Sequence, residues 1–66
     1  MEVFKSIIVQ TEQDTAIIKH HIQDLDMMFD CKFTDNIIDF YERSLYITIK
    51  EFINKTKIKS KINRNL

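Results

Sequence analysis

An all-α fold, a hairpin of two long helices, is what the sequence predicts, on three observations. Ile18, Ile22, Leu25 and Phe29 recur at spacings of four, three and four, which puts them on one helical face. Ile38, Tyr41, Leu45, Ile49 and Phe52 form a second stripe of the same kind. The chain contains no Gly and no Pro, the residues that most readily make tight β-hairpins.

The first helix is expected over about residues 2–29. Thr11-Glu12-Gln13-Asp14 reads as a capping box, with the Thr11 hydroxyl accepting from a backbone amide of the first turn and acidic residues suiting the helix dipole there. Phe4 and Ile8 extend the apolar stripe backward, with room for a short extra N-terminal helix. The same stretch, Val3 to Val9, is β-prone, so residues 2–10 read either way. Leu45 to Lys50 alternates as a strand would, but lies inside the second stripe. Asp30 to Thr34 breaks the period, and Thr34, Asp35 and Asn36 are three successive N-cap candidates for a second helix over about 35–58. Residues 1–58 form the single domain of this reading, and 59–66 a frayed basic tail.

Phe40, Ile47, Ile58 and Ile62 fall on nearly the opposite side of the second helix from its main stripe. A helix apolar on two sides needs two partners, so these four residues are the expected partner or dimer interface, and two hairpins would close a four-helix bundle. The 66-residue length points the same way: so small a chain buries only about 60% of its unfolded surface and has a single Cys, hence no internal disulfide.

Charge is balanced overall, 10 basic against 10 acidic residues, but not along the chain. Residues 1–50 carry five basic and nine acidic groups; residues 51–66 carry Lys55, Lys57, Lys59, Lys61 and Arg64 against Glu51. The acidic body disfavours nucleic acid, whereas the five cations at the end are candidate contacts for an anionic partner. No apolar run is long enough to span a membrane and no leader pattern opens the chain, so a reduced, cytoplasmic setting is expected, as a lone Cys also suggests. Twelve Ile against three Leu, with many Lys and Asn, is the bias of an AT-rich bacterium, its phage or a virus.

No catalytic constellation emerges. His20 and Asp24 share a helical edge, but no paired ligand spacing accompanies them, so no metal and no cofactor are expected. Cys31 sits in the expected turn, distant from His20 and His21, and lacks the base a nucleophile needs. Asp24, Asp26, Asp30, Asp35 and Asp39 read as a solvated acidic end, and lack the central Gly of a calcium loop. Without Gly there is no phosphate loop either. The aromatic residues read as core. The function expected is a small non-catalytic protein–protein interaction module, an adaptor, inhibitor or subunit, acting as a homodimer.

An alternative rests on element order alone. A β-prone segment at 3–9, a helix at 12–28 and a capped second helix from 35 resemble the ribbon-helix-helix layout. The resemblance implies a dimeric DNA-binding regulator whose paired strands enter the major groove. Lys5 is the one basic residue of that segment.

Overall fold

The computed structural model describes residues 2–63 and shows a mixed α/β domain, not an all-α hairpin. The chain runs through strand β1 (Lys5–Val9), helix α1 (Glu12–Asp24), a short 3-10 turn (Met28–Asp30), strands β2 (Cys31–Thr34) and β3 (Ile37–Phe40), helix α2 (Arg43–Thr56) and strand β4 (Ser60–Asn63). The strands form one antiparallel sheet in the order β2-β3-β1-β4. This is the split βαβ, or ferredoxin-like, plan: each helix carries the chain over one intervening strand.

The β-prone alternative holds for the start of the chain. Ile7 and Val9 point into the core, and β1 pairs with β3 on one side and β4 on the other. Thr11 then caps α1 as its sequence suggests, accepting from the Asp14 amide at 3.1 Å. Ile18 and Ile22 are its buried residues; Leu25 is partly exposed and Phe29 lies outside the helix. The helix ends at Asp26, whose φ of 57° is left-handed, and the Met27 amide reaches back to Ile22 O at 3.3 Å. That closure normally uses Gly; Asp tolerates it at modest cost.

The second expected helix start is instead a hairpin. Thr34 pairs with Ile37, so Asp35 and Asn36 form a two-residue turn, with Asp35 at φ 53°. Asp35 supplies here the left-handed conformation that Gly would supply elsewhere. Asn36 also ties the turn to the centre of the sheet: its Nδ2 donates to Val9 O at 2.6 Å, and its carbonyl accepts from the Val9 amide at 3.0 Å. α2 therefore begins only at Arg43 and buries Leu45, Tyr46, Ile49 and Ile53. It ends at Lys57, φ 60°, with the Ile58 amide bonded to Ile53 O at 3.1 Å. The segment read as a frayed tail supplies β4, paired from Val9↔Ser60 to Ser6↔Asn63.

The core lies between the helices and one face of the sheet. Ile7, Val9, Ile38, Phe40 and Cys31 from the strands meet Ile18 and Ile22 of α1 and the buried side of α2. A two-layer α/β packing of this kind buries one face of each element within the chain, so the four-helix bundle is not needed to cover the second stripe.

Candidate interaction surfaces

The helix layer carries an open groove between α1 and α2. At its middle the His21 imidazole stacks on the Phe52 ring, centroids 4.0 Å apart and planes 9° from parallel. Two depressions of about 420 and 610 Å³ meet at this stack. The first is bounded by Ala16, Ile17, His20 and Asp24, the second by Thr48, Glu51, Asn54 and Lys55. Ile17 is 48% exposed beside it.

Topology fixes the polarity of the groove. α1 follows β1 and α2 follows β3, and those strands are antiparallel, so the helices run in opposite directions. Asp24 lies three residues beyond His21 and Lys55 three beyond Phe52. Each is about one turn, ~4.5 Å of rise, past the stack, in opposite senses. The groove thus has an acidic end and a basic end.

Among the described residues, no helix covers the other face of the sheet. Strand alternation and register place two cross-strand rows there: Lys32, Asp39 and Ser6, then Thr34, Ile37, Ile8 and Lys61. Ser6 is fully buried, and its hydroxyl donates to Asp39 Oδ1. None of these seven residues is aromatic, so the face offers no platform for base stacking.

The residues singled out by sequence are dispersed. Phe40 is 0% exposed, in β3, at the centre of the core, and is not available to a partner. Ile47 stands on the outer side of α2, 43% exposed. Ile58 is half-buried against the core just after α2. Ile62 occupies the β4 position opposite Ile7. These four do not share one face, because the chain leaves helix at both ends of Arg43–Thr56. Lys55, Lys57, Lys59 and Lys61 are exposed around the end of α2 and the start of β4; Arg64 lies outside the described residues. Sequence reasoning missed the His21–Phe52 groove, since Phe52 belongs to a stripe read for helix packing and His21 lies beside one rather than in it. The signal was His21 on the margin of the first stripe and Phe52 on the second.

Two further features bear on chemistry. Burial, with the Asp30 carboxylate beside it, pushes the Cys31 thiol from 9.0 up to about 11. The thiol is therefore protonated at neutral pH, the inert state of a structural cysteine. Among the described residues, no group of three or more His, Cys, Asp or Glu side chains is placed to hold a metal ion. The ribbon-helix-helix layout also fails on geometry. β1 is an inner strand with β3 and β4 on its two edges, which leaves it no edge for pairing with a second chain. No helix among the described residues is long and apolar enough to cross a membrane.

No family model, no curated protein and no solved structure matches the chain.

Proposed function

We propose that the protein is a small non-catalytic interaction module, an adaptor, inhibitor or subunit, that works as a homodimer paired through its helix layer. The observation that supports this reading is the polarity of the α1–α2 groove. A two-fold interface must be self-complementary. A two-fold axis through the His21–Phe52 stack sets the Asp24 end of one groove against the Lys55 end of the other. The half-exposed Ile17 and the stacked ring pair provide the apolar centre, and the charges provide register. A stable interface takes roughly 600 Å² or more from each chain, about an eighth of the 4872 Å² surface.

Absolute mass by light scattering across a dilution series tests this. The expected result is twice the 8.0 kDa chain mass, with Ile17→Glu reverting to one chain. Asp24→Lys and Lys55→Asp should each weaken the dimer, and together restore it. A monomer at concentrations up to about 1 mM, an association free energy weaker than about −4 kcal/mol, overturns the reading.

A further inference from the structure

The two rims of the sheet carry different charge. At the β2 rim, Lys32 has Asp39 as its cross-strand neighbour, and Asp30 and Asp35 flank the strand. At the β4 rim, the run Lys57-Ile58-Lys59-Ser60-Lys61 contains no acidic residue. Lys59 and Lys61 are both exposed, Lys61 within β4 opposite Ile8 and Lys59 just before the strand, beside the end of α2. On the helix side, the Lys5 and Lys50 ammonium groups converge on the Tyr46 ring, 5.4 and 5.8 Å from its centroid. Asp14 is the one carboxylate in the recess that Lys57 and Lys59 line. Among the described residues β4 pairs with β1 alone, so its outer edge presents backbone donors and acceptors to solvent.

We propose that the β4 rim docks an extended acidic segment of another protein, which joins the sheet as a fifth strand. Main-chain hydrogen bonds to β4 would supply affinity, and carboxylates of the segment paired with Lys61 on the strand and Lys59 at its start would supply selectivity. A protein strand fits this rim better than nucleic acid. The cations flank an unpaired strand edge, a main-chain template, and the neighbouring sheet face has no aromatic ring for a base among the described residues. Ile17 lines both the helix-layer groove and the recess beside Lys57 and Lys59, so the control for the dimer reading is made at the far end of the groove, at Asp24.

The probe is a ten-residue peptide of alternating Glu and Val, titrated into the full chain while backbone amide resonances and hydrogen exchange are followed. The expected result is shifts and new protection confined to β4 and its β1 neighbour, affinity that falls with added salt, and at least a tenfold loss with Lys59→Glu plus Lys61→Glu. Both lysines are exposed, so this variant keeps its fold, and it should bind the matching Lys/Val peptide instead. Equal binding of a Gln/Val peptide, no binding of the Glu/Val peptide, or tighter binding of an oligonucleotide at the same amides overturns the proposal. So does occupancy of β4 by a second copy of this chain, seen as the same shifts on concentrating the protein alone. Repeating the titration on Asp24→Lys separates this proposal from the dimer reading, since that variant weakens the helix-layer pair, lies outside the recess of Lys57 and Lys59, and should bind the peptide unchanged.

Discussion

α1 buries Ile18 and Ile22 and is closed at its start by the Thr11 hydroxyl; α2 buries Leu45, Tyr46, Ile49 and Ile53 and starts at Glu42, whose side chain makes no capping hydrogen bond. Both helices are held by burial, α1 through two core residues and a side-chain cap, α2 through four core residues and no such cap. The difference follows from position. α2 also receives Phe4, which meets Tyr46 edge-on at 5.6 Å, and Phe40, which meets it at 5.8 Å. α1 leaves Ile17 and Leu25 partly exposed. Anchoring of this unequal kind makes α1 the element expected to open first, with its amides exchanging through smaller openings than those of α2.

The contrast breaks most visibly at the core of α2. Ile49→Ala should cost about 2–5 kcal/mol in urea unfolding, whereas Ile17→Ala on α1, measured below the concentration at which the chain dimerises, should stay within about 0.5 kcal/mol. Next in size is the cap. Thr11→Ala should cost about 1 kcal/mol and speed exchange in the first turn of α1, while Glu42→Ser should gain a comparable amount at α2. Tyr46→Phe sharpens the tertiary side of the contrast. The Tyr46 hydroxyl is buried without a hydrogen-bond partner among the described residues, so its removal should leave stability unchanged or raise it by up to about 1 kcal/mol. Asp26→Gly and Lys57→Gly relieve the left-handed helix ends and should each gain about 0.5 kcal/mol, after the greater chain entropy of Gly is set against the relief. Cys31 adds nothing to the contrast at neutral pH. Its folded-state value is raised from 9.0 to about 11, so its contribution is fully present below pH 9.0 and is lost as pH rises through about 11. The urea midpoint should be flat up to the start of that window and fall across it.

Much of the core was legible in the sequence, but its assembly was not. The Thr11 cap, the Ile18–Ile22 face and the Leu45–Ile49 face all stand as the periodicity indicates. The fold class failed at the turns. Three sharp reversals, at Asp26, Asp35 and Lys57, use left-handed non-Gly residues, so the usual punctuation was missing and two short helices read as long ones. Asp35 and Asn36 are good N-caps and good hairpin residues for the same reason, a short side chain that bonds nearby backbone. Only long-range pairing decides between the two roles. The groove was illegible for a related cause: it joins margins of two stripes, and stripe analysis records centres. The charge of the β4 rim was visible as an alternating lysine run, but the strand edge beside it depends on pairing with β1, more than fifty residues earlier.

That pairing also sets a kinetic order. β1 is the first strand in the chain, yet its two neighbours, β3 and β4, come later, and one of them comes last. Ile7, Ile8 and Val9 therefore stay without their strand partners until the chain has looped back twice. Contacts of such separation form late, and a β-branched segment left exposed meanwhile is a nucleus for association with other chains. Folding yield should accordingly fall with protein concentration during refolding, even when the native state is stable. The vulnerable chains are those in which β1 has not yet met β3 and β4.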